Sequence, residues 1–197
     1  MSNCCTDTVI FYSEAENNVS QISKLADALS YCYPVSSTRF DTRVSILLDH
    51  LDITEAGLYI RGDVLYYEIN ENSIRLDVDA AWRPLYYCYQ AVAEHFNLQF
   101  VMQSEEPGCS IFINTDIFGE FLPTRYRVFL PDEAGARGTV YEELYQNESN
   151  HEQYLSSEED VFAMLSPYGF CAEDIPQLIS ILDTDYVRID SYETSFE

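Results

Sequence analysis

The feature that most constrains the fold is an alternating segment that leads directly into a helical pattern near the middle of the chain. In residues 73–79 apolar and charged side chains alternate, which is typical of a half-buried strand. Pro84 suits the first turn of a helix, where its missing backbone N–H is not needed. Apolar residues then recur at helical spacing: Leu85, Cys88, Tyr89, Val92 and Phe96. These patterns predict a strand and then a helix over 83–96 with one buried face.

Further strands are predicted on both sides of this helix. Period-two patterns occupy three segments after it, at 98–103, 109–114 and 125–130. Before it, β-rich residues on both sides of Gly62-Asp63 predict a hairpin over 58–69. Residues 8–12 predict one more short, buried strand. Together these patterns predict an α+β fold with an antiparallel sheet and a β-α-β-β order in its middle.

Several features of the middle third match a known family. They are the strand before Ala81-Trp82-Arg83-Pro84, the helix that ends near His95-Phe96, the strand at Leu98–Phe100, and the turn Glu105-Glu106-Pro107-Gly108. On these residues the segment resembles the ferredoxin-like domain of the YubB/Api92 family, which is found on plasmids and other mobile elements. That family tends to continue with an aromatic residue and a second glycine, whereas this chain has Cys109-Ser110-Ile111. The resemblance implies a ferredoxin-like βαββ core and a mobile-element setting, but no reaction.

The segments that flank this core predict additional helices. We expect residues 1–55 to form a strand and helices packed on the sheet, and 56–134 to form the α+β core. Residues 135–197 predict short helices with a closing strand, and the polar residues 146–153 within them predict a loop. The clearest break in the chain is Gly135-Ala136-Arg137-Gly138. We expect the three segments to form one compact unit.

Charge is the least usual property of the composition. The 197 residues include 34 acids and 10 bases, which gives a formal net charge of −24. Residues 139–197 carry 14 of the acids and one base, Arg188. Because phosphate binding depends on positive charge, we expect no direct nucleic-acid partner. The expected partner is a basic protein surface, which opposite charge attracts and steers.

Nine acids of this last segment are the candidate partner contacts, because they lie on predicted short helices or loops with no nearby base. They are Glu142, Glu143, Glu148, Glu152, Glu158, Glu159, Asp160, Glu173 and Asp174. Tyr66 and Tyr67 join them as candidate anchors, since tyrosine is amphipathic and loses little side-chain entropy on binding. Carboxylates that imitate DNA phosphates, interleaved with tyrosines, could occupy the basic groove of a nucleic-acid enzyme.

The first functional interpretation is therefore a non-enzymatic, acidic inhibitor or interaction protein. The resemblance to a mobile-element family implies an anti-defence target, such as a restriction or CRISPR nuclease, for which the chain would be a DNA mimic. An immunity or antitoxin-type protein that neutralises a basic toxin fits the same charges. The simplest alternative is that the acidity only keeps the protein soluble.

Signs of catalysis or of a cofactor are sparse. Asp77 and Asp79 project from the same face of a predicted strand, so a small enzyme that uses sheet carboxylates is a further interpretation. The histidines His50, His95 and His151 lie far apart, and no HxH, HExxH or CxxC spacing occurs. No P-loop, dinucleotide-binding or hydrolase motif is present either. We therefore expect no metal and no cofactor.

The N-terminus and the cysteines predict a cytoplasmic protein without membrane contact. Residues 1–7 lack the basic region of a signal peptide. No apolar run approaches the roughly 20 residues that span a bilayer. The six cysteines are unevenly spaced, at Cys4, Cys5, Cys32, Cys88, Cys109 and Cys171. Without an export signal, we expect six reduced thiols, with Cys88 in a core.

Overall fold

The chain divides into two compact units. The structure is a computed structural model that describes residues 4–13, 19–34, 41–54, 57–130, 133–148 and 150–196. Unit 1 consists of Met1–Asp116 and Thr194–Glu197, and unit 2 consists of Ile117–Glu193. The break between the units thus follows Asp116, whereas the predicted break at 134/135 falls inside unit 2.

The described part of unit 1 contains one antiparallel sheet of five strands. In chain order its elements are β1 (Cys4–Tyr12), α1 (Val19–Cys32), α2 (Val44–His50), β2 (Gly62–Ile69), β3 (Ser73–Ala81), α3 (Tyr86–Phe96), β4 (Gln99–Glu106) and β5 (Ile111–Asn114). The strand order in the sheet is β2-β3-β1-β4-β5. The predicted α+β class is confirmed, and the sheet is consistent with a ferredoxin-like core.

Strand β1 occupies the centre of this sheet, between β3 and β4. Both neighbours pair with it in antiparallel orientation, so β3 and β4 run parallel to one another. Helix α3 joins these two strands, and β1 therefore splits a β-α-β unit, as in ferredoxin-like folds. The sequence pattern indicated only a short strand at 8–12, whereas β1 spans nine residues.

Helix α3 packs against the sheet with the predicted face. The five side chains of the predicted stripe are all buried, which confirms that part of the prediction: Leu85, Cys88, Tyr89, Val92 and Phe96. The helix begins at Tyr86, three residues later than predicted, because Leu85 is its N-cap. It ends at Phe96 because Asn97 adopts the left-handed conformation, with φ of 51°. Asparagine tolerates that conformation better than most residues.

The predicted hairpin at 58–69 is wrong. Gly62 and Asp63 do not form a turn; they begin β2, and the turn lies between Asn70 and Ser73, where β2 meets β3. A Cβ at position 62 would lie 2.8 Å from Cδ1 of Leu85. It would also lie 3.0 Å from the backbone oxygen of Asp79. A glycine here thus lets β2 pack closely beside Leu85 and β3, and it does not mark a turn.

The predicted strand at 125–130 forms, but it does not belong to the sheet of unit 1. As β6 (Tyr126–Phe129), it pairs with β7 (Glu152–Leu155) and β8 (Arg188–Ser191) in the order β7-β6-β8. Strand β7 also corrects the predicted loop at 146–153. Its exposed edge position leaves it without the apolar alternation that identifies a half-buried strand.

Short helices connect the strands of unit 2. They are α4 (Glu133–Ala136), α5 (Glu142–Asn147), α6 (Glu158–Leu165) and α7 (Ile175–Ile181). Ser157 and Asp174 are the N-caps of α6 and α7, and each side chain accepts a hydrogen bond from the backbone N–H three residues later. The unit has its own hydrophobic core, in which Val128, Leu144 and Leu165 are buried. Among the helices that the structure describes, none is long and apolar enough to cross a membrane.

The six cysteines are all described, and none of them forms a disulfide in the structure. Cys4, Cys109 and Cys171 are exposed, whereas Cys5 and Cys88 are buried. Burial raises the pKa of Cys88 to about 11. Burial also raises the pKa of Cys5. Cys32 is partly buried, and burial raises its pKa as well. Only the thiolate is reactive, so Cys5, Cys32 and Cys88 should react slowly.

We therefore expect three rapidly reacting thiols in the native protein and six after denaturation without a reductant. Timed titration with a chromogenic disulfide reagent at pH 8 measures both counts. Rapid reaction of all six thiols in native protein would contradict the burial of Cys5 and Cys88. Fewer than six thiols in freshly denatured protein would contradict the reduced state.

Candidate functional site

Unit 2 carries many carboxylates and few cations. Its residues, 117–193, include 16 acids and four arginines. Arg127 is buried and forms ion pairs with Glu152 and Asp190. Arg188 also pairs with Asp190. Two of the four arginines therefore form ion pairs with acids of the same sheet. The other acids give the unit a net negative charge.

Most of the predicted contact acids lie at the beginnings of helices α5, α6 and α7. They are Glu142, Glu143, Glu158, Glu159, Asp160, Glu173 and Asp174. A carboxylate at a helix N-terminus is favourable because it interacts with the positive end of the helix dipole. The fold thus gives a local reason for these acids, and it also places them in short, solvent-facing elements.

Some of these acids accept hydrogen bonds from residues at the start of their own helix. Asp160 accepts hydrogen bonds from the hydroxyl of Ser156 at 2.8 Å and from its N–H at 3.3 Å. Hydrogen bonding from Ser156, and then from Ser157, holds the pKa of Asp160 below its usual range. Asp174 accepts the N–H of Gln177 at 2.8 Å. These carboxylates stabilise helix starts.

Three other acids at the same helix starts form no such hydrogen bond within the described residues. Glu143, Glu159 and Glu173 are exposed. Within the described residues their carboxylates accept no hydrogen bond and form no ion pair. Among the nine predicted acids, these three are the best placed to meet a partner, and we call them the open carboxylates.

Tyrosine hydroxyls donate to three of the predicted acids within the described residues. The pairs are Tyr126 with Glu158 at 3.0 Å, Tyr168 with Glu148 at 3.1 Å, and Tyr154 with Glu152 at 3.3 Å. Partial burial and the hydrogen bond to Glu158 raise the pKa of Tyr126. Unit 2 therefore interleaves carboxylates with aromatic rings, which is the combination expected of an interaction surface.

Two details of the predicted site need correction. Glu152 was chosen as an acid without a nearby base, but Arg127 of the neighbouring strand pairs with it. Tyr66 and Tyr67 lie on β2 in unit 1, whereas the nine acids lie in unit 2. Tyr66 is exposed, and Tyr67 packs against the core and donates to the carbonyl of Tyr33 at 3.3 Å.

The tyrosines that contact the acids were not identified from the sequence. The spacing of Glu152 and Tyr154 was an available signal, because residues two apart on a strand share a face. Tyr126 and Glu158 are 32 positions apart. Only the fold brings that pair together, so no local signal could have indicated it.

The alternative site consists of Asp77 and Asp79 on the sheet of unit 1, and Asp77 already binds neighbouring side chains. Asp77 accepts the hydroxyl of Thr8 at 3.0 Å and pairs with Arg75 at 3.0 Å. Asp79 lies opposite Asp63 of β2, and both border an open cleft of about 660 Å³. Among the described residues, no group of three or more histidine, cysteine, aspartate or glutamate side chains is placed to hold a metal ion.

The central strand of this sheet carries a buried carboxylate that the sequence patterns do not indicate, on the face that α3 covers. Asp7 of β1 is fully buried, and its Oδ2 accepts the N–H of Leu85 at 3.0 Å and the hydroxyl of Tyr89 at 2.7 Å. Its Oδ1 accepts the hydroxyl of Ser104 and the thiol of Cys5. Burial raises the pKa of Asp7. Because these contacts join β1, α3 and β4, we assign the cluster a structural role.

A comparison of the chain with protein-family models, curated proteins and solved structures found no match. The similarity of the middle third to the YubB/Api92 family stays a prediction. The function must therefore be inferred from the charges and contacts of the surface.

Proposed function

We propose that this chain is a non-enzymatic interaction protein, and that unit 2 binds a basic protein that handles nucleic acid. The observation that supports this proposal is the excess of 16 acids over four arginines in unit 2, with Arg127 and Arg188 paired internally. Such a surface attracts a basic partner over a distance and rejects nucleic acid itself.

A finer proposal is that the surface imitates DNA. A DNA mimic must present carboxylates that its own cations do not neutralise, together with flat groups that fill the spaces between them. The open carboxylates at Glu143, Glu159 and Glu173 meet the first need. The rings of Tyr126, Tyr154 and Tyr168 meet the second, and each holds a neighbouring acid in place.

The target of such a mimic would be a protein with a basic nucleic-acid groove. The resemblance of the middle third to a mobile-element family favours a defence nuclease of restriction or CRISPR type. A basic toxin, neutralised by an immunity-type protein, is the alternative that the same charges fit. Direct identification of the partner distinguishes the two.

Reversing the open carboxylates is expected to slow association with the partner by about tenfold or more at low salt. Exposed charges at the rim of an interface act mainly on the association rate. The variant Glu143→Lys/Glu159→Lys/Glu173→Lys loses the favourable interaction of three carboxylates with helix dipoles, so its unfolding midpoint is compared with that of the wild type to show that it remains folded. The partner is captured on the immobilised chain from a host lysate, and association is then followed by surface plasmon resonance.

A matched control uses three exposed acids of unit 1, in the variant Asp27→Lys/Asp49→Lys/Glu71→Lys. It changes the net charge by the same amount and leaves unit 2 intact. The control is expected to slow association much less than the first variant. Equal slowing by both would show that only the net charge matters, and would contradict a site on unit 2. Glu158 and Asp160 are left unchanged because Tyr126 and Ser156 depend on them.

A further inference from the structure

Strand β2 forms an exposed edge of the sheet in unit 1. It pairs with β3 on one side, and it carries apolar side chains that remain accessible: Leu65 is 60 % exposed, Tyr66 53 % and Ile69 46 %. A bulge interrupts the pairing between Val64 and Tyr66, and the residues beyond it pair regularly. Proteins normally protect an edge strand with charges, proline or a covering segment, because an open edge pairs readily with another chain.

The outward backbone groups of this edge can be assigned from the hairpin turn. Asn70 donates its N–H to the carbonyl of Ser73 at 2.9 Å. In an antiparallel ladder alternate residues direct both backbone groups at the partner strand. Tyr66 and Glu68 therefore face β3, whereas Tyr67 and Ile69 direct their N–H and C=O groups away from it.

These outward groups are open to a new strand. Among the described residues, backbone coverage of this edge is at the start of β2, where Val64 donates to the carbonyl of Thr42 at 2.7 Å. In the ranges that the structure describes, the outward backbone groups of Tyr67 and Ile69 make no hydrogen bond. An extended segment could pair with both residues without displacing any hydrogen bond that the structure describes.

The two faces of β2 define the side chains that an added strand would need. On the face turned from the helices, β2 and β3 place four acids beside one arginine and the exposed ring of Tyr66: the charged residues are Asp63, Glu68, Asp77, Asp79 and Arg75. On the opposite face Tyr67 and Ile69 present apolar surface. The side chains of an added strand alternate between these faces. Basic residues would meet the first face and apolar residues the second.

We propose that the outer edge of β2 binds an extended segment of a partner protein in which basic and apolar residues alternate. This mode is strand addition, in which backbone hydrogen bonds provide affinity and the alternating side chains provide specificity. A second copy of the chain is a poor occupant, because each copy carries a net charge of −24 and self-pairing would bring Asp63 and Glu68 of both copies together. The proposal takes the basic character of the partner from the proposed function, but it concerns a different unit of the chain.

The test uses a short acetylated peptide of alternating lysine and valine, with a glutamate–valine peptide as its control. Amide hydrogen exchange of the full chain is measured by NMR with and without each peptide. The lysine–valine peptide should slow exchange at Tyr67 and Ile69 by about fivefold or more, since each amide gains a hydrogen bond. Tyr66 and Glu68, already bonded to β3, should change little.

Two variants separate backbone pairing from side-chain contact. Ile69→Pro removes an outward N–H without removing a bond to β3, and should weaken peptide binding roughly tenfold. Ile69→Thr keeps the N–H and the β propensity, and should weaken binding less than about threefold. The unfolding midpoint of each variant shows that the sheet is intact.

Several results would overturn the proposal. These are unchanged exchange at Tyr67 and Ile69, equal effects of the two peptides, or equal loss of binding in Ile69→Pro and Ile69→Thr. If exchange at Tyr67 and Ile69 becomes slower as the protein concentration rises in the absence of peptide, the edge binds a second copy of the chain instead. Because the peptides replace the captured partner and act on unit 1, this test can fail while the charge-reversal test on unit 2 succeeds, and the reverse also holds.

Discussion

Asp7→Ala is expected to lower the free energy of unfolding of unit 1 by about 3–5 kcal/mol, because each buried donor left unpaired costs about 1–3 kcal/mol. The donors that lose their acceptor are the N–H of Leu85, the hydroxyls of Tyr89 and Ser104 and, as a weaker donor, the thiol of Cys5. The first three lie at the start of α3 and on β4, so the substitution removes the side-chain hydrogen bonds that link both elements to Asp7, while the backbone pairing of β1 with β4 remains. Urea unfolding of the full chain, followed by circular dichroism, measures the loss.

Two further variants make this prediction specific. Asp7→Asn keeps one oxygen for Leu85 and Tyr89 and can donate its amide to the Ser104 hydroxyl, so the loss should be less than half that of Asp7→Ala. Ser104→Ala removes one donor and leaves the rest, and about 1 kcal/mol is expected. If Asp7→Ala costs no more than Ser104→Ala, the carboxylate does not organise the cluster.

The same group predicts a pH dependence. Burial raises the pKa of Asp7 in the folded state, so the folded carboxyl holds its proton more tightly than the unfolded one. Its contribution to stability is therefore complete below the ordinary pKa of about 3.9 and is lost as pH rises through the raised value. The stability advantage of the wild type over Asp7→Asn should shrink with rising pH. An advantage that stays constant from acid to neutral pH would contradict the raised pKa.

Arg127→Met is expected to lower the free energy of unfolding of unit 2 by about 2–4 kcal/mol, since it leaves Glu152 without its base and Asp190 with Arg188 alone. The Arg127 side chain is 5 % exposed and pairs with Asp190 at 3.2 Å and with Glu152. Glu152 is more accessible than Asp190, and solvent screening reduces its share of the loss. The guanidinium also lies 4.9 Å from the centre of the Phe129 ring.

Arg188→Met is the matched control for this prediction. Arg188 pairs with the same Asp190 but is 38 % exposed, so its removal should cost less than about 1 kcal/mol. Thermal unfolding of the two variants measures the difference. Similar losses in both variants would mean that the burial of Arg127 does not increase its contribution to the stability of unit 2, and would contradict the prediction.

The parts of the fold that the sequence predicted correctly are those with local causes. The apolar stripe of α3 repeats at helical spacing, and Asn97 stops the helix by its own conformation. Ser157 and Asp174 cap α6 and α7 through bonds that span three residues. In each case the residues that determine the structure are neighbours in the chain.

The parts that were missed depend on distant residues. Strand β6 shows its period-two pattern, but the pattern does not say which strands it pairs with. Gly62 resembles a turn residue until Leu85 is placed above it. Asp7 lies between Cys5 and Val9 on the buried face of β1. Its hydrogen-bond donors come from the start of α3 and from β4, which are distant in the sequence.

The candidate site divides in the same way. The acids at the starts of α5, α6 and α7 could be selected because charge and helix position are both local properties. Their partners could not, since Tyr126 reaches Glu158 across the fold and Arg127 reaches Glu152 from a neighbouring strand. The fold therefore decides which acids are open to a partner.

Competition with DNA tests the central claim most directly, namely that unit 2 acts as an acidic mimic toward a basic partner. Binding of the chain to its captured partner is measured from low salt to about 0.5 M, where screening shortens the reach of exposed charges to a few ångströms. Duplex DNA is added in a parallel series. We predict that affinity falls steeply with salt and that DNA displaces the chain competitively. Binding that neither salt nor DNA changes would contradict the claim, and would leave the acidity as a means of keeping the protein in solution.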